Sequence, residues 1–295
     1  MKGINYIKNM FILAGICIFC SCDPYKYQKI TIAIDDTCNL EQQSAAYEVI
    51  NKRFASMWYV KERTGLVDGK FELTYSDPDS LLVQMLTQKG EIYIIEVYLN
   101  NEIQASVCKV YDRLIELARN TGHELLWRTS DFQNGHDPLL IDAPLQQVAF
   151  IDSVFNSYKH FFPADISFAW MTKSRDGFFE LLALKSTSQP FPLNPRTVKN
   201  SNVDKGEHHP VLAVELNEKY HKEWARMTRD NISRNLAIVM DGKVLMYPRV
   251  QCEITGGKLT ITNDFDINEL RAIRSIILSG TLDSKVQIIN RCNLQ

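Results

Sequence analysis

The sequence predicts an α+β fold in which antiparallel hairpins pack against helices. Asp-Gly pairs begin at Asp68, Asp176 and Asp241, each between apolar, β-prone runs. A two-residue turn in which both φ angles are positive favours this dipeptide. Residues 267–277 carry apolar side chains three and four positions apart, as one face of a helix requires. The pattern therefore predicts hairpins covered by helices.

The first third of the chain has the element order of a ferredoxin-like base. Residues 29–35 form a strand and residues 39–57 a helix with an apolar stripe, and two short strands flank Asp68. Asp77-Pro78 begins a second helix, since proline suits the first helical position, and residues 91–99 form a further strand. The order strand, helix, strand, strand, helix, strand is the split βαβ arrangement.

The middle of the chain alternates between regular and turn-rich stretches. Local pattern predicts a helix over 101–119 that ends near Gly122, a linker over 131–143, a helix from Leu145 to Tyr158, strands over 166–171 and 178–184, and a loop over 186–209.

The last third is the most densely patterned part and predicts an α+β head subdomain. A strand over 210–216 and a helix after Asn217 precede the hairpin around Asp241, and Gly256-Gly257 repeats the turn signal. Asp266 caps the following helix, because its carboxylate accepts unpaired backbone N–H groups. Gly280 ends that helix, since glycine tolerates a positive φ.

These elements divide the chain into five consecutive parts. We predict a lipoprotein signal peptide over 1–21, a tether over 22–28, the ferredoxin-like base over 29–130, a connecting α+β segment and loop over 131–200, and the head subdomain over 201–290.

The N-terminus is typical of a secretory signal. Lys2 and Lys8 precede an apolar run of 11 residues, too short for the roughly 20 residues of a membrane-spanning helix. Cys22 stands where a bacterial lipoprotein signal places the cysteine that is lipidated. The alternative is an ordinary cleaved signal peptide. After Cys22 no second long apolar segment follows, so we expect an exported domain anchored by lipid to a bacterial membrane, on its periplasmic face.

Composition restricts the class of partner. Apolar residues make up 45% of 295 residues, which is enough for a substantial core. The net charge of −2 becomes −4 without Lys2 and Lys8, so nucleic-acid binding is not expected. Four cysteines remain beyond Cys22, and they allow three disulfide pairings or buried free thiols. They are Cys38, Cys108, Cys252 and Cys292.

The head sequence resembles the first periplasmic domain of the SecD family, whose pattern is N-x-G-R-x-L-A-I-V-L-D-G-K-V-x-x-A-P-x-V followed by I-x-G-G and a helix ending S-G. Ser233 stands where the family has glycine, and Tyr247 where it has alanine. The matching positions are Asn231, Arg234, 236–239, 241–244, Pro248, Val250, Ile254, Gly256, Gly257, Phe265, Ser279 and Gly280.

The base resembles the same domain more loosely. Residues 49–53, Asp77-Pro78 with Leu81-Leu82, and residues 94–98 fit family segments, whereas the family's G-V-x-E-P and L-P-G turns are missing. The resemblance implies work on exported polypeptide, with unfolded secretory chains or Sec translocase subunits as partners. Tyr247, Pro248, Gly256 and Gly257 are the candidate binding residues.

No sequence motif indicates catalysis, a cofactor, a metal or a small-molecule substrate. The chain lacks a phosphate loop, a G-x-S-x-G elbow, H-E-x-x-H and a mature C-x-x-C. His208-His209 has no matched further ligand, so a solvated loop is favoured. An aromatic set could line a peptide groove, although core packing is favoured. The set comprises Trp58, Tyr59, Phe71, Tyr75, Tyr93 and Tyr98.

Three functional hypotheses follow from these observations. The first is a lipid-anchored, non-enzymatic envelope protein that assists Sec-dependent export by binding polypeptide or the translocase. The second is an envelope interaction or structural lipoprotein that reuses the fold without a link to translocation. The third is an enzyme, which requires a cleft with convergent polar groups within residues 123–210.

Overall fold

The structure, a computed structural model, describes residues 27–294 except 59, 77–79, 123, 125, 130–136, 187–188 and 207. The predicted signal peptide and Cys22 lie outside the described residues. The first strand already begins at Tyr27, so the last two residues of the predicted tether belong to that strand.

The described part of the chain contains six α-helices, two short 3-10 helices and fifteen strands. The helices are α1 (Leu40–Met57), α2 (Ser80–Leu86), α3 (Asn100–Thr121), α4 (Leu145–Ser157), α5 (His221–Asp230) and α6 (Ile267–Ser279). The strands are β1 (Tyr27–Ile34), β2 (Val60–Arg63), β3 (Lys70–Ser76), β4 (Ile92–Glu96), β5 (Arg128–Thr129), β6 (Leu139–Pro144), β7 (Ile166–Trp170), β8 (Phe178–Lys185), β9 (Phe191–Pro192), β10 (Val198–Asp204), β11 (Val211–Leu216), β12 (Leu236–Met240), β13 (Lys243–Met246), β14 (Lys258–Ile261) and β15 (Val286–Leu294).

The base sheet is antiparallel, with strand order β15-β1-β3-β2. This is the ferredoxin-like order, so the α+β fold is confirmed. The strand that completes the sheet differs from the prediction, however. β4 lies between β12 and β9 in another sheet, and β15 takes the fourth place beside β1. The helix that precedes this fourth strand is α6. The two ends of the described chain therefore build the base together.

Burial explains why β4 leaves the base and why the sequence did not reveal β15. Ile94 and Ile95 point to opposite faces of β4, and both are buried, so this strand needs cover on two sides. β15 is an edge strand with mostly exposed side chains. An edge strand with one solvated face carries little apolar periodicity.

Arg53 joins the helices of the base from a fully buried position on α1. Its guanidinium donates to the carbonyl oxygens of Leu86, Gln88 and Lys89 at 2.9, 2.7 and 3.1 Å. It also donates to Gly280 O at 2.6 Å and Ser279 Oγ at 3.3 Å. One side chain thus holds the C-terminal ends of α2 and α6 against α1. We call this arrangement the Arg53 clamp.

The head contains two sheets, in the orders β10-β11-β14 and β13-β12-β4-β9. Residues 186–209, predicted as a loop, include β9 and β10. β10 escaped prediction because it is a polar edge strand in which only Val198 and Ser201 are buried. The prediction of a second hairpin at Gly256-Gly257 is also wrong. β14 pairs with β11 and not with the residues before Gly256. Those residues are already engaged, because Val250 N–H donates to Arg234 O at 2.8 Å.

The middle segment forms its own sheet, β5-β6-β8-β7, whose core includes residues of α3 and α4. Part of the predicted linker 131–143 is therefore wrong, since β6 is a strand with Leu140, Ile141 and Ala143 fully buried. Pro138, which precedes β6, and Pro144, its last residue, gave the stretch the composition of a loop. Residues 131–136 of that linker lie outside the described part.

Five strands from the head and the middle segment close a ring. On one side of the ring, β12 pairs with β4 and with β13; on the other side, β7 pairs with β8. Two isolated bridges join the two sides, one between Val97 and Leu184 and one between Met171 and Val244. A small apolar core fills the ring. Its buried members are Ile95, Val97, Ala169, Met171, Leu182, Leu184, Ala237, Val239 and Val244. The middle segment is thereby built into the head and is more than a connector.

The four cysteines are free thiols, as one of the two alternatives predicted, but they are not buried. Cys38, Cys108, Cys252 and Cys292 are free thiols, and all but Cys38 are exposed. Cys108 lies on the solvent side of α3, and Cys252 lies in a loop outside any strand. None of the helices in the described ranges is both long and apolar enough to cross a bilayer.

Candidate functional site

Two clefts lie on either side of Pro248 in the segment that follows β13. One side-chain bond and one backbone bond hold this segment against the start of β12. Asn235 Nδ2 donates to Tyr247 O at 2.7 Å, and Leu236 N–H donates to Pro248 O at 3.1 Å. Pro248 itself is exposed and lines both clefts. Pro248, one of the predicted binding residues, therefore lies where two cavities meet.

The first cavity, which we call the apolar cleft, has a volume of about 280 Å³. The face of the β4–β12 pair forms its floor, and Trp224 of α5 lines it as well. Trp224 is 4% exposed, and its Nε1 has no hydrogen-bond partner among the described residues. The lining residues are Ile94, Trp224, Thr228, Leu236, Ile238, Pro248, Arg249, Val250, Gln251, Cys252, Ile254, Leu259 and Thr260.

The apolar cleft runs beside the free edge of β14. Leu259 and Thr260 are successive residues of one strand and point to opposite faces, so a cavity that touches both lies along the strand's edge. Leu216 N–H donates to Gly257 O at 2.8 Å. This bond shows which residues of the antiparallel β11–β14 pair turn their backbone groups towards the partner strand, namely every second residue counted from Gly257. By alternation, the backbone groups of Lys258 and Thr260 point away from β11. Strand groups that have no partner in the described part of the chain therefore border an apolar cavity.

The second cavity, the polar cleft, has a volume of about 360 Å³. Glu180 of β8 lines it and is 8% exposed. Tyr247 Oη donates to Glu180 Oε2 at 2.5 Å. Burial, and then this bond to a carboxylate, raise the pKa of Tyr247 far above its usual value. The phenol thus remains a hydrogen-bond donor at any physiological pH. The lining residues are Met171, Lys173, Ser174, Arg175, Glu180, Met246, Tyr247, Pro248, Thr262, Asn263 and Asp264.

The lysine and the tyrosine of the polar cleft are each held by a carboxylate. Lys173 is ion-paired with Glu269 and lies over the Phe265 ring at 5.5 Å. Tyr247 donates to Glu180, and a tyrosine with a raised pKa is a poor nucleophile. The two bonds hold the charged groups of Lys173 and Glu180 in fixed positions, an arrangement that suits the binding of a polar or charged ligand.

Gly257, another predicted binding residue, has a packing role. Its φ is +62°, and a Cβ built there would lie 2.2 Å from the His221 ring. The ring in turn contacts Leu216 O through Nε2 at 3.1 Å. Gly256 is exposed at the turn before it. Neither glycine lines the two clefts, so both shape the entry into β14.

The other candidates from the sequence are dispersed. Phe71 and Tyr75 are fully buried in the base core, Tyr93 packs against the ring core, and Tyr98 donates to Asp165 at 2.6 Å. The aromatic set therefore lines no common groove, and Tyr59 lies outside the described residues. His208 and His209 are exposed. Across the described ranges, no group of three His, Cys, Asp or Glu side chains is arranged to hold a metal.

Glu180 is the main site residue that sequence reasoning missed. One signal was available, because Glu180 is a single acidic residue within the apolar run FFELLALK of β8. Such a residue is rarely buried without a partner. Its partner, Tyr247, lies 67 positions away, and only the fold brings the two together.

Comparison with known proteins identifies the head. Residues 194–284 match the family model described as SecDF, P1 head subdomain. SecD of Acidaminococcus fermentans, a protein translocase subunit, is 39% identical over 80 residues, which are 27% of this chain and 19% of that protein. The chain carries a SecD-like periplasmic domain. SecD of Sebaldella termitidis is 32% identical over 101 residues, 34% of this chain and 25% of that protein.

The SecD-like region spans about a quarter or less of these relatives' own length. A crystal structure of SecDF in a super-membrane-facing form superposes with a TM-score of 0.49 and 13% identity, covering 91% of this chain and 30% of that one. The relatives are translocase subunits, so the SecD-like domain is related to protein translocation.

The structure accounts for one departure from the SecD pattern. Ser233, where the family has glycine, has a φ of +66°. Its N–H donates to Val250 O at 2.8 Å, which ties β12 to the segment that lines the apolar cleft. A positive φ is the reason for glycine at this position. Ser233 keeps the conformation at a cost in backbone strain.

Proposed function

We propose that this chain assists protein export as a non-enzymatic domain that binds unfolded, exported polypeptide or Sec translocase subunits. The observation that supports it best is the free edge of β14 beside the apolar cleft. An extended polypeptide recognised there adds a strand to the sheet, and its backbone pairs with the outward groups of Lys258 and Thr260. Alternate side chains of that polypeptide enter the cleft, where Ile238 and Leu259 bury them.

This mode of binding suits a domain that handles many sequences. Backbone pairing is independent of side-chain identity, and an apolar cavity accepts any apolar residue of suitable size. Most strands of a folded protein are already paired on both sides, so this mode of binding favours unfolded chains. No cofactor is needed for such a role.

The edge of β14 provides a direct test. Thr260→Pro removes an outward N–H without removing a bond to β11, as proline is tolerated on edge strands. We expect it to weaken binding of a fluorescent peptide of alternating apolar and polar residues by about tenfold, measured by anisotropy. Thr260→Val keeps the N–H and should bind as the parent chain does. Equal affinity for both variants, with unchanged melting temperatures, would argue against strand addition.

A photo-crosslinker at Gln251, on the rim of the apolar cleft, extends the test to cells. Secretory chains or Sec subunits are the expected products, and the same group at exposed Lys52 of α1 is the control. Recovery of neither class at Gln251, with the protein folded and exported, contradicts a role in export. That outcome would favour the alternative of an envelope lipoprotein unrelated to translocation.

We further propose that lipid on Cys22 holds the domain at the cell envelope, on the periplasmic face of a bacterial membrane. Two or more acyl chains anchor a protein durably, since each buried methylene contributes about 0.8 kcal/mol. Cys22→Ser should move the protein from the membrane fraction to the soluble fraction, and Cys38→Ser, its control, should not. Retention of Cys22→Ser on the membrane contradicts the anchor.

A further inference from the structure

Glu180 offers an unused acceptor to the polar cleft. Its Oε2 accepts from Tyr247. Among the described residues, Oε1 has only the cation Arg175 near it, with Nη1 at 3.8 Å, which is too far for a hydrogen bond. Glu180 lines the polar cleft, and no hydrogen bond from the described residues reaches its Oε1. Because the Glu180 side chain is only 10% exposed, its carboxylate favours a charged donor at such an oxygen.

The neighbouring charged side chains do not occupy the position of such a donor at Glu180. Lys173 is held by Glu269, and Asp264 is exposed at the cleft's margin. Arg175 precedes the Asp176-Gly177 turn, and its side chain is 78% exposed. Because a long exposed side chain moves readily into water, Arg175 leaves the cleft at little cost. The cleft then carries the net negative charge of Glu180 and Asp264.

The two clefts share Pro248, so a polypeptide in the apolar cleft passes close to Glu180. We infer that the polar cleft binds a lysine or arginine side chain of that polypeptide through Glu180, and that Arg175 stands in for it in the free protein. This inference rests on the proposed function and names the class of segment: apolar residues with a basic residue a few positions away. Tyr247 is the positioning residue, because it fixes the rotamer of Glu180.

Paired peptides test this inference. One peptide carries an apolar core and a nearby arginine, and the other has citrulline in its place, which keeps the shape and removes the charge. The full chain should bind the arginine peptide about tenfold more tightly. In Glu180→Gln this preference should disappear, whereas affinity for the citrulline peptide should remain. Arg175→Ala should tighten binding of the arginine peptide alone by several-fold.

The outcomes separate the inference from the proposed function. Equal binding of both peptides by the full chain overturns the subsite and leaves polypeptide binding intact. Binding of neither peptide overturns the proposed function and the subsite with it. A preference that survives in Glu180→Gln also overturns the subsite. If Glu180→Gln fails to fold, the Arg175→Ala comparison decides, since unchanged affinities there contradict the stand-in role.

Discussion

Replacing Arg53 with methionine should destabilise the protein more than any other single change considered for this chain. The guanidinium is fully buried and donates to four carbonyl oxygens and one hydroxyl. Burial lowers its pKa to about 10, so it remains charged at neutral pH. Methionine fills much of the space but leaves the helix-end carbonyls without donors. We expect a loss of about 3–5 kcal/mol in the free energy of unfolding.

Thermal and denaturant unfolding measure this effect, and the melting temperature should fall by about 5–10 °C. Lys52→Met, at the exposed neighbouring position on α1, is the matched control and should change stability little. Arg53→Lys keeps the charge but not the planar fork, so its loss should lie between the two. If Arg53→Met melted within a degree or two of Lys52→Met, the Arg53 clamp would not stabilise the base.

Gly90→Ala should have the second largest effect. Gly90 has a φ of +72°, and a Cβ there would lie 2.3 Å from Arg53 Nη2 and 2.6 Å from Ile276 Cγ2. The substitution therefore combines left-handed strain with a collision against the Arg53 clamp. Strain costs about 1–2 kcal/mol, and overpacking adds about 1–3 kcal/mol. Chemical denaturation gives the sum.

Gly122→Ala separates the two contributions. Gly122 ends α3 with a φ of +71°, and a Cβ there meets no atom within 4 Å. Its loss measures strain alone, and the excess in Gly90→Ala measures the collision. Combining Gly90→Ala with Arg53→Met should cost less than the sum of the two changes, because the guanidinium is then absent. Equal losses of unfolding free energy in Gly90→Ala and Gly122→Ala would show that the Arg53 guanidinium moves aside without cost.

The Arg53 clamp also positions the β12–β13 hairpin. The loop between α2 and β4 accepts Arg53 through its carbonyl oxygens, and its Gly90 and Glu91 N–H groups donate to Asp241 at 2.8 Å each. Asp241 is the turn residue of the β12–β13 hairpin, which leads into the clefts. We expect both Arg53→Met and Gly90→Ala to weaken polypeptide binding as well as stability.

The turns and caps could be predicted because their chemistry is local. Asp68, Asp176 and Asp241 all have positive φ, and each is followed by a glycine with positive φ. Asp266 accepts from the N–H groups of Asn268 and Glu269, which caps α6 as expected. A few neighbouring residues decide such features, so a sequence pattern carries them.

The site was predictable only in part. Tyr247 and Pro248 were chosen from the family pattern, and both line the polar cleft. Their role as binding residues remains a proposal. Glu180 was not chosen, because it lies in the segment with little family resemblance and its contact with Tyr247 spans 67 positions. The predicted glycines, Gly256 and Gly257, lie outside both clefts.

By itself, the sequence determined the turns, the caps, most of the helices, the α+β class and the SecD-like head. Only the tertiary structure decided which strands pair, as β15 with β1 and β14 with β11. It alone placed Arg53 in the base core and Glu180 beside Tyr247. The reason is physical: a turn or cap depends on bonds within a few residues, whereas strand partners and buried charges depend on how distant segments jointly exclude water.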